Sequence, residues 1–134
     1  MNDSLQRPYR IRALLRFAPR SSKAIGAAKE CLARNFLQRQ GLRLVASNYG
    51  CRLGEVDLVM RDADTLVFIE VRYRASDRFG TAAETVGQRK QRRLAAAADH
   101  YLQQHRLDLP CRFDVLAIDA GDRIDWIRDA FHVE

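Results

Sequence analysis

The stretch "GEVDLVMRDADTLVFIEVRYR", residues 54 to 74, consists of two apolar runs around a short polar turn, with one acid embedded in each run. Runs rich in Val, Ile, Leu and Phe, bounded by turn residues, predict strands over 54–61 and 65–74 with "RDAD" between them. An ionised carboxylate in a buried strand is destabilising by several kcal/mol unless a cation, a metal or hydrogen bonds meet it. Any fold for this chain must therefore account for Asp57 and Glu70.

With the turn centred between Ala63 and Asp64, Asp57 falls opposite Glu70, and Glu55 falls opposite Arg72. Side chains directly opposite in an antiparallel pair share a face, with Cβ atoms about 4.5–5.5 Å apart. Glu70 and Arg72 share that face too, through the two-residue period of a strand. The expectation is one polar patch of Glu55, Asp57, Glu70 and Arg72 beside Val59 and Phe68. Two facing carboxylates repel, so one takes up a proton or a cation lies between them. A hard divalent ion held by one or two carboxylates suits phosphoryl chemistry. The alternative is a cross-strand ladder of ion pairs with no ligand, which the like-with-like pairing of Asp57 and Glu70 opposes.

Flanking patterns extend the element order. Apolar positions at helical spacing predict a helix over about 23–40, capped by Ser22 and stopped by Gly41. Residues 42–49 suit a first strand, 82–105 a long helix, 112–119 a buried strand and 123–127 a short closing one. The predicted fold class is α/β, ordered α-β-β-β-α-β(-β), with a central mixed sheet flanked by helices. On the long helix Lys90 falls within the inward stripe of Val86, Leu94, Ala97 and Tyr101. It either reaches a carboxylate on the sheet or snorkels past the helix edge. Glu30 borders the apolar face of the first helix, and Lys29 lies inside that face without an evident partner.

The chain has 134 residues and a formal charge of +6, enough for one domain with a real core, placed at 23–134. Residues 1–22 read as a basic, flexible arm, which accounts for most of the surplus charge. A second basic cluster lies between residues 72 and 93: Arg72, Arg74, Arg78, Arg89, Lys90, Arg92 and Arg93 against Asp77 and Glu84. Cys31, Cys51 and Cys111 form no CxxC and read as reduced thiols of a cytoplasmic protein. No apolar run is long enough for a membrane span, and no signal peptide is evident.

"GEVDLV", "LVFIEVRYR", "RKQRRL" and "RFDVLAI" together resemble the YraN family of endonuclease-like bacterial proteins, over about residues 24 to 131. That family is similar to the PD-(D/E)XK nuclease superfamily, with archaeal Holliday-junction resolvases close in outline. The resemblance implies a restriction-endonuclease-like fold and a Mg²⁺- or Mn²⁺-dependent nuclease acting on structured or branched nucleic acid, DNA more than RNA. Glu30, Asp57, Glu70 and the backbone carbonyl of Val71 would be metal ligands. Asp57, Glu70, Arg72 and Lys90 would carry the catalysis. Arg74, Arg78, Arg89, Arg92 and Arg93 would follow flanking phosphates, and the likeness to resolvases suggests a homodimer. The family usually has lysine where this chain has Arg72 and glycine where it has Lys29. Arginine stays charged and cannot act as a general base. A catalytically degenerate nucleic-acid-binding module on the same fold is therefore the alternative, unless Lys90 takes over the amine's place.

Overall fold

The strand that carries Glu70 lies at the centre of the sheet. A computed structural model describes residues 22–74 and 86–133. Its elements are α1 (Ser22–Arg39), β1 (Arg43–Cys51), β2 (Gly54–Asp62), β3 (Thr65–Arg74), α2 (Gln88–His105), β4 (Cys111–Asp119) and β5 (Ile124–Phe131). The five strands form one sheet in the order β1-β2-β3-β4-β5. Only β3 and β4 run parallel; the other neighbours are antiparallel. The parallel pair needs a crossover, which α2 supplies, and hairpins join the remaining strands. This α-β-β-β-α-β-β order around a mixed sheet is the restriction-endonuclease-like architecture that the sequence predicts.

Strand β3 is buried on both faces from Leu66 to Glu70, which is why it reads as a continuous apolar run rather than an alternating one. Leu66 and Phe68 face α2, where Leu94, Ala97 and Tyr101 close one core. Val67 and Ile69 face α1, where Leu32, Ala33 and Leu37 close the other. Gly54 lets α2 approach. A Cβ placed there would lie 1.8 Å from the carbonyl oxygen of Arg93, inside any permitted contact.

Several boundaries differ from expectation. Helix α2 starts at Gln88 rather than 82, because Gly87 is extended (φ −72°, ψ 170°) and forms the N-cap. Positions 82–85 lie outside the described residues. Ser22 is the first residue of α1 and not a cap before it. The expected arm otherwise lies outside the described residues, as does Arg78. Strand β5 continues to Phe131 because Asp114 holds it. Fully buried, Asp114 accepts from Arg112 Nε (3.0 Å) and Nη2 (3.2 Å), Trp126 Nε1 (3.0 Å) and the Asp129 backbone N–H (2.9 Å). A charge with four donors is satisfied in the interior.

Lys29 also finds its explanation in tertiary structure. Its side chain is 2% exposed, and Nζ donates to the Asp119 carbonyl at 3.0 Å. It lies 3.7 Å from Asp122 Oδ1 and 4.8 Å from the centre of the Tyr73 ring. Burial pulls its pKa down, while Asp122 and Asp119 oppose that shift. The lysine pins α1 to the β4–β5 turn one residue before Glu30. Cys31, Cys51 and Cys111 are free thiols. Among the described residues no helix is long and apolar enough to cross a membrane.

Candidate functional site

The hairpin register is the expected one: Asp62 pairs with Thr65 and Leu58 with Ile69. The pairing stops there, one rung before Asp57 and Glu70. The Asp57 carboxylate instead reaches across, and its Oδ2 accepts from the Val71 backbone N–H at 2.8 Å. Asp57 thus takes the place of a ladder partner where β2 and β3 part. It does not simply stand beside Glu70 on one face, as strict alternation predicts.

The reason lies in β1 and β2 together. Val56 and Val59 both pack into the α2-side core, although three residues apart, and Leu58 faces α1. The paired Ala46 and Tyr49 on β1 show the same spacing against that core. Between them, Asn48 has a left-handed backbone, φ 52°. The two-residue alternation is therefore broken in both strands at the rung of Asn48 and Asp57.

Glu30 arrives from α1 beside Asp57, with Asn48 and Arg34 as its other electrostatic neighbours. Burial and the neighbouring Asp57 charge raise the Glu30 pKa, against the opposing effects of Asn48 and Arg34. Glu70 is 5% exposed and its pKa is pushed up to about 7. Burial is the main cause and Asp57 the next; Lys90 and Arg72 counteract both. Asp57 is thus the electrostatic link between an acid from α1 and an acid from β3.

Three cations meet these acids from the α2 side and from β3. Arg72 Nη1 lies 3.4 Å and Lys90 Nζ 3.8 Å from Glu70 Oε2. Lys90 is also 4.0 Å from Glu55 Oε2, and Arg93 Nη2 is 3.8 Å from Glu55 Oε1. Lys90 therefore reaches the sheet acids and does not snorkel away. Glu55 engages α2, whereas the hairpin geometry alone places it against Arg72. Arg89 and Arg92 are exposed on the first turns of α2, with Arg93 a little further along. Arg74 ends β3.

Asn48 and Arg34 were not selected from the sequence. A signal for Asn48 was present: asparagine is depleted in strands and tolerates the left-handed region. Arg34 follows Glu30 by four residues, one helical turn, which was also legible. Among the described residues, no three His, Cys, Asp or Glu side chains form a cluster able to hold a metal by themselves. Glu30, Asp57 and Glu70 communicate through Asp57 rather than converging on one point.

This fold, with acids from α1, β2 and β3 where two central strands part, is the PD-(D/E)XK-like, restriction-endonuclease-like architecture. The chain belongs to the uncharacterised protein family UPF0102, whose model matches residues 29–118, and this is the YraN-related group that the motifs indicate. It is 51% identical over 121 residues to a UPF0102 protein of Nitrosococcus oceani, covering 87% of this chain and 98% of that protein. It is 54% identical over 122 residues to one of Ralstonia nicotianae, covering 87% and 93%. A third, from Nitrosomonas europaea, is 53% identical over 106 residues, covering 78% of this chain and 89% of the relative.

Proposed function

We propose that this protein is a metal-dependent phosphodiesterase acting on structured or branched nucleic acid, DNA more than RNA. The observation that carries the reading is the linked set of carboxyl groups. Glu30 and Glu70 are both held above the ordinary carboxylate range by burial and by Asp57. Such acids are relieved by a hard divalent cation, and one or two carboxylates with water suffice for Mg²⁺. The donor chemistry suits that ion: the hard oxygens of Glu30, Asp57 and Glu70, which do not converge without it, would be drawn together to hold it, with the Val71 carbonyl. In a strand the N–H and C=O of one residue point to the same edge. Val71 directs its N–H to Asp57, so its carbonyl faces the same edge of β3.

Bound Mg²⁺ or Mn²⁺ supplies a water of lowered pKa and charge stabilisation at the phosphate. The chain's own residues do the rest. Arg72 and Lys90, both beside Glu70, hold the scissile phosphate in place. Lys90 provides the amine that position 72 lacks. Arg74, Arg89, Arg92 and Arg93 contact neighbouring phosphates without reading bases. Support for DNA, and for a homodimer, comes from the likeness to junction resolvases.

Arg72 favours a second reading. A guanidinium 3.4 Å from Glu70 cannot accept a proton, and the module then binds nucleic acid without cutting it. One panel separates the two: duplex, single-stranded, flapped and four-way DNA, and RNA, each with Mn²⁺. Cutting by the wild type that is lost in Glu70→Gln supports the nuclease. An inert wild type with an active Arg72→Lys variant supports the degenerate module. Calorimetric titration with Mn²⁺ that shows no heat, and no difference in Asp57→Ala, removes the metal site.

A further inference from the structure

We propose that Asn48 is the positioning residue of the carboxyl site: its left-handed backbone turns Asp57 toward Val71, and its side-chain amide holds Glu30 beside Asp57. The inference goes beyond the nuclease reading, although its metal arm rests on Glu30 and Asp57 being the site's acids.

Two independent features converge on this residue. The first is conformational. Asn48 lies between the paired Ser47–Leu58 and Tyr49–Val56, so it faces Asp57 across the ladder. Its φ of 52° lies far from any strand value, yet the register on either side does not slip. A non-glycine residue kept in this region within a strand points to a constraint from its surroundings. The consequence is visible on both strands. Ala46 and Tyr49, with Val59 and Val56 opposite, stay on the α2 side, and the rung between is freed from normal alternation. With that freedom Asp57 reaches Val71 N–H at 2.8 Å.

The second feature is chemical. Asn48 is exposed beside the Glu30 carboxylate, whose pKa it lowers, and its amide supplies a donor there. An amide donor is what a carboxylate needs if it is to remain next to a second carboxylate. Glu30 is borne by a helix on one face of the sheet, with Arg34 one turn further along that helix. Asparagine is suited to both tasks, since it enters the left-handed region more readily than other non-glycine residues and carries a donor.

Substitutions separate the two tasks. Asn48→Gly keeps the backbone freedom and removes the amide; Asn48→Val removes both, because a β-branched residue resists positive φ. The readouts are hydrogen exchange of the Val71 amide by NMR, Mn²⁺ affinity by calorimetry and the melting temperature. Asn48→Gly is expected to retain wild-type Val71 protection and melting, while Mn²⁺ affinity falls about tenfold or more. Asn48→Val is expected to lose both, with Val71 exchange about tenfold faster or more. Wild-type Val71 exchange in Asn48→Val overturns the backbone role. Wild-type Mn²⁺ affinity in Asn48→Gly overturns the amide role. If the wild type binds no Mn²⁺, the metal reading fails, and the backbone role is still decided by Val71 exchange in Asn48→Val. Should that variant not fold, Asn48→Ala takes its place with the same expected outcome.

Discussion

Asp57 Oδ2 accepts a hydrogen bond from the Val71 backbone at 2.8 Å, at the point where β2 and β3 cease to pair. A side chain thereby substitutes for main chain in the centre of a sheet. That substitution leaves Asp57 close enough to raise the pKa of Glu70.

The raised pKa of Glu70 makes stability depend on pH. Its folded value of about 7, against an ordinary 4.5, means that the folded state holds a proton that the unfolded chain releases. Its contribution is complete below pH 4.5 and is lost as pH rises through 7. At pH 8 the deficit reaches about 3 kcal/mol. Urea titrations of the wild type at pH 5 and pH 8 should differ in that direction, and Glu70→Gln should flatten the difference. Equal pH dependence in both proteins excludes the assignment to Glu70.

Gly54 is the contact on which the α2 side of the site depends. Since a Cβ there would meet the Arg93 carbonyl at 1.8 Å, Gly54→Ala must push α2 off the sheet, and Lys90 with it. The expected loss is more than about 3 kcal/mol. Gly50, on the neighbouring strand, has no atom nearer than 4.0 Å to its added Cβ. Gly50→Ala is the control, and chemical denaturation should find it far milder. Similar losses in the two variants would contradict the close approach.

The hairpin register was legible in the sequence because a two-residue turn and one buried strand leave few alternatives. The place of Lys90 in an apolar stripe was legible too. The stripe left open whether it reaches the sheet acids or snorkels past the helix edge, which its contacts with Glu70 and Glu55 decide. The direction of Asp57 was not legible, because it depends on the backbone of Asn48 in another strand. Lys29 was equally opaque: its partners, Asp119 and Asp122, lie far along the chain and meet it only after β4 and β5 have formed. The start of α2 was misread because Ala82, Ala83 and Glu84 favour helix, whereas Gly87 sets the boundary.

Lys29 and Asp122 should couple energetically. Lys29→Met removes the cation from a site where it is 2% exposed and leaves Asp122 Oδ1 buried without it. Breaking a buried pair from one side destabilises by about 3–5 kcal/mol. The double variant Lys29→Met with Asp122→Asn removes both charges and should be less damaged than the single substitutions sum to, by about 1–3 kcal/mol. Denaturation of all four proteins gives this coupling directly. Strict additivity would show that the lysine is held by packing and Tyr73 rather than by Asp122.

The arginines on α2 should reveal how nucleic acid lies on the protein. Arg89 and Arg92 are exposed, whereas Arg93 is engaged with Glu55 at 3.8 Å. For a backbone contact, the affinity for DNA falls linearly with salt on logarithmic axes, and each lost phosphate contact lowers the slope by about 1. Arg89→Gln and Arg92→Gln should each do so, equally for oligonucleotides of different sequence. Arg93→Gln should have a smaller effect on the slope, since its charge is partly satisfied by Glu55. Fluorescence anisotropy with Ca²⁺ in place of Mn²⁺ measures binding without cleavage. Unchanged slopes in the first two variants would place the nucleic acid elsewhere, and a loss confined to one sequence would mean that α2 reads bases rather than phosphates.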